Sequence, residues 1–432
     1  MALNSGKSFV KTMGRGAVLS TVVLTIAIIL FPMKACTEKK DNISSESNSE
    51  DVHTVEGVLY LDGKPVSIEI ADGKIAKINH LSSHSELPEI YVAPGLIDIQ
   101  INGYMGIDFA SQDLTIEGIR EVAKALWKEG VTSFLPTLIT ADQESLKNSF
   151  SILSESLDDE ETGMSIPGFH LEGPYISPVK GFRGAHLEKY IREPDWNEFL
   201  ELQNAANNGI KLITLAPEIE GAISFIQKCS QDGIVVSLGH HNGNTSQIKE
   251  ATDAGASLST HLGNGCANMI NRHNNPLWPQ LADDRLSASI IADGFHLNRE
   301  ELQCFYKIKG NSRTILVSDA LDLAGLEPGE YTRWERRVLL TPDVVKFPAE
   351  NVLAGAASPI SSCVGNMMNF TGCSLSDAIQ MASTNPARLM GLSNRGEISE
   401  GKRADLILFT IEDGKMVIQQ TMIAGEVVYT KE

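Results

Sequence analysis

The side chains best suited to chemistry in this sequence are histidines and carboxylates near the middle of the chain. Seven of the ten histidines fall between residues 170 and 296. Glu172, His240, His261 and Asp319 each follow a short apolar run that is typical of a buried strand. A carboxylate and two imidazoles from different strands, with room for a water, form the ligand set of a catalytic zinc ion with an open position. Taken singly, each histidine is better explained as a hydrogen-bonded core or helix-capping residue, but the combination at four strand ends indicates a metal centre.

Eight apolar runs could position these side chains. Helical stretches such as 116–129 and 298–309 separate most of them. The runs are 96–101, 131–136, 166–170, 210–216, 234–238, 256–259, 286–292 and 313–318. Regular alternation of this kind predicts an α/β fold, a (β/α)₈ TIM-type barrel over residues 93–385, with catalytic residues at the carboxyl ends of the strands. The alternative is an open doubly wound sheet. Such a sheet would usually carry a glycine-rich phosphate-binding turn, and neither GxGxxG nor GxxxxGK[ST] occurs, so the barrel is favoured.

The two ends of the chain beyond residue 51 are rich in short β-type runs. Residues 52–92 contain alternating runs punctuated by Asp62-Gly63 and Asp72-Gly73, and residues 386–432 repeat the pattern around Asp413-Gly414. These dipeptides are strong hairpin signals. Neither piece could bury much surface alone, so we expect both to combine into one small β-sandwich domain.

The overall composition excludes several classes of protein. Hydrophobic residues make up 42% of the chain and charged residues 21%, as in a globular domain. The formal net charge of −19 would repel a phosphodiester backbone, so nucleic acid is not expected as a partner. The six cysteines form no CxxC pair, which argues against a zinc ribbon.

The first 36 residues have the pattern of an export signal. Lys7, Lys11 and Arg15 precede an apolar run over residues 16–33, and Ala35-Cys36 resembles a bacterial lipoprotein cleavage site. We therefore expect an exported, membrane-anchored lipoprotein, periplasmic or at the cell surface, with residues 37–51 as a flexible tether. An uncleaved single membrane anchor is the alternative interpretation.

From about residue 52 to the end, the sequence resembles the N-acetylglucosamine-6-phosphate deacetylases of the amidohydrolase superfamily. His170-Leu171-Glu172-Gly173-Pro174 is the most specific of the motifs. The others are Ala93 to Gly103, Ser237 to His240, Thr260 to Leu262, Ile291 to His296, Val317 to Ala320, Asn385 to Ala387 and Gly401 to Leu406.

The resemblance implies a ligand set and a proton-transfer group. Glu172, His240 and His261 would ligate the metal, and Asp319 would be the general acid/base. Many amidohydrolases hold a second metal with His-x-His after the first strand, where this chain has Gln100-Ile101-Asn102. Because an amide is a poor substitute for imidazole at a transition metal, we expect one divalent ion, zinc, per chain.

The resemblance also implies the substrate contacts. His186 would polarise the carbonyl of the substrate, although it could instead be an ordinary loop histidine. Asn264, Gly265, Arg272 and His296 occupy the places that hold the sugar phosphate, and Leu353, Ala354 and Gly355 match the loop that closes over the sugar. We also expect a homodimer.

The sequence therefore predicts zinc-dependent deacetylation of an N-acetyl amino sugar. N-acetylglucosamine 6-phosphate is the substrate that the family implies. The divergent segment 266–280 around Arg272 and the export signal favour an unphosphorylated N-acetylhexosamine or a cell-wall fragment instead. The alternatives are an amidohydrolase of other specificity, such as a deacylase or cyclic amidase, and a non-catalytic glycan-binding lipoprotein.

Overall fold

The structure is a computed structural model of the 432-residue chain, and it describes residues 52–82, 90–333, 336–342, 344–348 and 352–432. The predicted signal segment 1–36, which includes Cys36, and the predicted tether 37–51 lie outside the described residues. Within the described ranges, no helix combines the length and the apolar character that crossing a bilayer requires.

The first four strands belong to the small β domain. They are β1 (His53–Leu59), β2 (Pro65–Ala71), β3 (Lys74–His80) and β4 (Tyr91–Pro94). Strands β1, β2 and β3 pair as antiparallel neighbours, whereas β4 runs parallel to β1. The Asp72-Gly73 turn between β2 and β3 has positive φ at both residues, which is the backbone geometry that favours this dipeptide in tight hairpins.

Eight parallel strands form a nearly closed barrel. In chain order they are β5 (Leu96–Ile101), followed by the short hairpin β6 (Gly103–Tyr104) and β7 (Ile107–Asp108), then β8 (Val131–Ile139), β9 (Phe169–Glu172), β10 (Ile210–Leu215), β11 (Val235–Leu238), β12 (Leu258–Ser259), β13 (Ser287–Ile290) and β14 (Thr314–Leu316). A parallel bridge between Ile101 and Ala320 brings the first strand beside the chain that leaves the last. The prediction of a (β/α)₈ barrel is confirmed.

Helices connect most of these strands on the outside. They are α1 (Ile116–Lys128), α2 (Gln143–Glu155), α3 (Trp196–Ala205), α4 (Ala222–Gln231), α5 (Thr245–Asp253), α6 (Leu277–Ala282) and α7 (Arg299–Arg313). Short polar side chains start several of them. Asn244 and Asn298 form capping boxes with Gln247 and Glu301, which satisfy backbone N–H groups at the start of α5 and α7.

A four-stranded antiparallel sheet follows the last barrel strand, and the sequence analysis did not anticipate it. Its strands are β15 (Gly329–Arg333), β16 (Arg336–Leu340), β17 (Val344–Phe347) and β18 (Val352–Ala356). The Leu321 N–H donates to the carbonyl of Ala356 at 3.1 Å, which ties the end of this sheet to the mouth of the barrel.

The chain then returns to the small domain. Helices α8 (Ile360–Thr371), α9 (Leu375–Ala382) and α10 (Thr384–Leu389) lead to β19 (Leu406–Glu412), β20 (Lys415–Ile423) and β21 (Glu426–Thr430). Strand β19 pairs with β4, so both ends of the described chain join in one seven-stranded sheet of order β21-β20-β19-β4-β1-β2-β3. The predicted union of the two ends is thereby confirmed.

Candidate metal centre and active site

Four predicted residues meet at the carboxyl ends of the barrel strands. Glu172 is the last residue of β9, His240 and His261 lie two residues beyond β11 and β12, and Asp319 lies three residues beyond β14. Because the strands are parallel, all these ends open at one mouth, which is where barrel enzymes place their chemistry. Glu172, His240 and His261 are all buried.

The three predicted ligand atoms converge on one point. His240 Nε2 lies 3.1 Å from Glu172 Oε1 and 3.1 Å from His261 Nε2, and His261 Nε2 lies 3.0 Å from Glu172 Oε1. Ligands bound to tetrahedral zinc at about 2.05 Å stand roughly 3.3 Å apart. The triangle is close to that size, so the described side chains fit a zinc ion with little adjustment.

The hydrogen bonds behind His240 favour metal binding. Its Nδ1 lies 3.1 Å from the carbonyl oxygen of Phe182, and a carbonyl can only accept, so Nδ1 carries the proton. In the neutral ring with this tautomer, the Nε2 atom has a lone pair that can bind a metal. Nδ1 of His261 is buried and has no partner among the described residues.

The electrostatics of the cluster keep Glu172 ionised. Burial alone would raise its pKa, but hydrogen bonds from His240 and His261 and their charges hold the pKa of Glu172 well below its usual range. For His261, burial would lower the pKa, and the hydrogen bond and charge of Glu172 outweigh it, so the pKa of His261 is raised. The cluster is thus built around a buried anion, which suits a divalent cation.

The backbone is strained at three of these positions. His240, His261 and Asp319 have φ values of 51°, 29° and 49°. Positive φ is uncommon for residues other than glycine and costs conformational energy, and such residues concentrate at functional sites. Compensating bonds hold two of them in place, because the His261 N–H donates to Ser289 Oγ at 2.7 Å and the Asp319 N–H donates to the Gln100 carbonyl at 2.9 Å.

Two glycines flank the His240 ring. A Cβ atom on Gly184 would lie 2.8 Å from His240 Cε1, and one on Gly265 would lie 2.9 Å from His240 Nδ1. Both residues also have positive φ, 58° and 60°. Gly265 was predicted as a substrate contact, and the structure gives it a further role, since its missing side chain leaves space for a metal ligand.

Asp319 accepts two amide hydrogen bonds on one oxygen. Asn102 Nδ2 donates to Oδ1 at 2.8 Å and Gln100 Nε2 donates to the same atom at 3.2 Å. Burial, together with the negative charge of Glu172, raises the pKa of Asp319 to about 6. A carboxylate poised near neutral pH suits a general acid/base. Gln100 and Asn102, which stand where many amidohydrolases have His-x-His, therefore donate hydrogen bonds to Asp319.

His186 lies beside the metal cluster. Its ring centroid is 4.3 Å from that of His240, and its Nδ1 lies 2.8 Å from Thr140 Oγ1. Glu172, His186 and His240 each have one ligand atom within 4.8 Å of the others, so His186 could hold a metal or contact the substrate. Burial, and then the charge of His240, lowers the pKa of His186 to about 3, so its ring is neutral.

A pocket of about 210 Å³ opens in front of these side chains. The predicted substrate residues Asn264, Gly265, His296, Leu353 and Gly355 line it together with the metal cluster and Asp319. The Nδ2 atom of Asn264 is buried without a partner among the described residues, which leaves it available to a ligand. His296 Nδ1 lies 2.7 Å from Asp293 Oδ2, and this contact fixes its ring.

Two predicted substrate residues are not placed in this pocket. Ala354 lies on β18, but the structure does not describe its side chain. Arg272 is exposed and is not among the lining residues. Asn271 Oδ1 accepts the N–H groups of the two residues after Arg272, and Trp278 Nε1 donates to the Arg272 carbonyl, so the loop satisfies its own polar groups away from the pocket. The contact of Arg272 with substrate stays a prediction.

Arg333 is a charged pocket residue that the sequence analysis missed. It lies at the end of β15, lines the pocket and is buried. Its Nε donates to Asp322 Oδ1 at 2.6 Å and its Nη2 donates to Asp108 Oδ2 at 2.9 Å. No local pattern marks an arginine that is placed by contacts this distant in sequence.

Comparison with known proteins identifies the family to which this chain belongs. Residues 91–428 match the model of the amidohydrolase family. The chain is 34% identical to N-acetylglucosamine-6-phosphate deacetylase of Bos taurus over 79% of this chain and 84% of that protein. It is 31% identical to the N-acetylglucosamine-6-phosphate deacetylase of Lysinibacillus sphaericus, over 86% of this chain and 95% of that protein. The crystal structure of the Thermotoga maritima deacetylase superposes with a TM-score of 0.78 at 32% identity, covering 88% of this chain and all of that one.

Proposed function

Since this chain belongs to the amidohydrolase family, in the group of the N-acetylglucosamine-6-phosphate deacetylases, we propose that it removes the acetyl group from an N-acetyl amino sugar with one bound zinc ion. The observation that supports this proposal most directly is the convergence of Glu172, His240 and His261 within 3.1 Å, with Asp319 in the same pocket. A binding protein that had lost catalysis would not need these four groups together.

Each residue has a role that its contacts allow. A divalent ion held by Glu172, His240 and His261 would supply Lewis-acid activation of water and of the amide carbonyl. Asp319, oriented by two amides on Oδ1, keeps Oδ2 to accept a proton from the attacking water and to return it to the departing amine nitrogen. His186, if Thr140 donates to its Nδ1, presents an Nε2–H that can donate to the carbonyl oxygen as negative charge develops.

The residues around the pocket bear on whether the substrate carries a phosphate group. Asn264, Gly265 and His296 line the pocket, but Arg272 does not, and Arg333 already pairs with two carboxylates. We therefore propose N-acetylhexosamines as the substrate class, with N-acetylglucosamine 6-phosphate as the member that the relatives' names suggest. Export as a lipoprotein through Cys36 is a separate proposal, which rests on the sequence pattern alone.

A deacetylation assay tests this function. Purified full-length protein, loaded with zinc, is incubated with N-acetylglucosamine and with its 6-phosphate, and the released amine is measured. We expect turnover of at least one sugar, loss of activity on chelation, and a loss of roughly three decades of kcat in Asp319→Asn with the metal retained. Failure on both sugars, combined with hydrolysis of other N-acyl or cyclic amides, would favour an amidohydrolase of other specificity.

A further inference from the structure

A second chamber adjoins the catalytic pocket. Its volume is about 570 Å³, and it shares Ile139, Ala185 and Arg333 with the 210 Å³ pocket that contains the metal cluster. Small-molecule sites usually span about 300–1,000 Å³, so the catalytic pocket alone is small and the chamber supplies most of the space.

The chamber lies on the side of the barrel mouth away from the predicted sugar contacts. Most of its lining comes from residues between 106 and 113 after the first barrel strand, from 139–142 at the end of β8, and from part of the loop after β9. Ser145 on α2 and Asp322, Thr332 and Arg333 beyond β14 complete the lining. Asn264, Gly265 and His296, from the opposite strands, line the catalytic pocket and are not among the chamber's lining residues. If those three residues hold an amino sugar at the metal centre, the chamber remains free to bind another part of the same substrate.

The charges of the chamber disfavour an anion. Its lining contains four carboxylates, those of Asp108, Asp113, Asp142 and Asp322, and one guanidinium, that of Arg333. Arg333 pairs with Asp322 and Asp108, so the charge that remains is negative. Carboxylates accept hydrogen bonds from hydroxyl and ammonium groups and repel phosphate.

The remaining walls suit a sugar ring. Ser111, Thr332 and Ser145 add hydroxyl groups, while Leu187 and Tyr190 add apolar surface. A mixed lining of this kind matches a ring with polar edges and an apolar face. An unbranched aliphatic acyl chain would offer no hydrogen-bond donor to the carboxylates of this lining.

We propose that the chamber binds a second sugar residue, uncharged or amine-bearing, that is joined to the N-acetyl amino sugar undergoing deacetylation. This inference rests on the proposed function and narrows it, since the substrate becomes the end of a short glycan. The second sugar, bound in the chamber, would add binding energy that a single sugar cannot supply.

The test compares N-acetylglucosamine with its β-1,4-linked dimer as substrates of the zinc-loaded full-length protein. We expect kcat/KM to be at least about tenfold higher for the dimer. Ser111→Trp, which puts a large side chain on the chamber wall, should remove that difference and leave the monomer rate unchanged, whereas Ser111→Ala should retain the difference. Asp113→Asn should weaken binding of the fully deacetylated dimer, which carries an ammonium group, by several-fold.

Three results would overturn the inference: equal kcat/KM for monomer and dimer, a dimer preference that survives Ser111→Trp, or a preference for longer acyl chains that Ser111→Trp removes. Calorimetric binding of the deacetylated dimer, compared with glucosamine, tests the chamber without turnover. If no sugar is deacetylated but the dimer still binds better, the proposed function fails and the chamber assignment stands. If the sugar phosphate is deacetylated, but the acetylated dimer is not a better substrate than the monomer and the deacetylated dimer does not bind better than glucosamine, the function stands and the chamber assignment fails.

Discussion

Replacing Asn102 with alanine should separate the orientation of the catalytic carboxylate from the holding of the metal. Asn102 Nδ2 donates to Asp319 Oδ1 at 2.8 Å, and Gln100 Nε2 donates to the same oxygen at 3.2 Å. A hydrogen bond to a charged group contributes about 1.5–3 kcal/mol. If that contribution is lost in the transition state, kcat falls by roughly 10- to 150-fold. Gln100→Ala removes the longer bond, so its kcat should fall by less than about tenfold.

The assay is amine release at saturating substrate, with zinc measured by elemental analysis of the same samples. Both variants should keep about one zinc per chain because Glu172, His240 and His261 are untouched. Asn79→Ala is a matched control, since Asn79 Nδ2 donates to Glu69 Oε1 at 2.7 Å in the small β domain. It removes an amide–carboxylate bond of similar length and should leave kcat unchanged.

Two outcomes would refute this reasoning. If Asn102→Ala turns over at the parent rate, the bond to Asp319 does not matter for proton transfer. If the parent binds two metals tightly and Asn102→Ala loses one of them, the amide is a metal ligand, and the interpretation of residues 100–102 as replacements for a second metal site is wrong.

Four further predictions concern the metal, the substrate, the core and the anchor. The parent should contain close to one zinc per chain by elemental analysis and His240→Ala less than a tenth of that, whereas two tightly held ions would contradict the single-metal prediction. Arg272→Ala should change kcat/KM for N-acetylglucosamine 6-phosphate by less than about threefold because Arg272 is exposed outside the pocket, and a loss above tenfold would show that it binds phosphate. Lys309→Met should destabilise the fold by about 1.5–3 kcal/mol in denaturant unfolding, since the buried amine donates to the carbonyls of residues 280, 283 and 286, while the exposed Lys307→Met should change little. Cys36→Ser should abolish labelling by radioactive palmitate in cells, and labelling that persists would contradict the lipoprotein prediction.

The sequence by itself was sufficient for the barrel and for the core of the candidate site. Apolar runs alternating with helical stretches predict parallel strands, and parallel strands bring all their carboxyl ends to one face. Glu172, His240, His261 and Asp319 are recognisable because each lies within three residues of a strand end. The joining of the two chain ends follows from their shared hairpin pattern and from the small surface that either could bury alone.

Only the tertiary structure decided which side chains surround that core. Asn102 and Asp319 are 217 residues apart in sequence, and Arg333 and Asp108 are 225 apart, so no local periodicity relates them. The sheet formed by β15 to β18 brings Arg333 to the pocket, whereas Arg272 is exposed and is not among the lining residues. Short-range patterns determine where strands begin and end, whereas the charges and the volume of the pocket depend on packing between distant segments. The choice between a sugar phosphate and an extended glycan depends on those distant contacts.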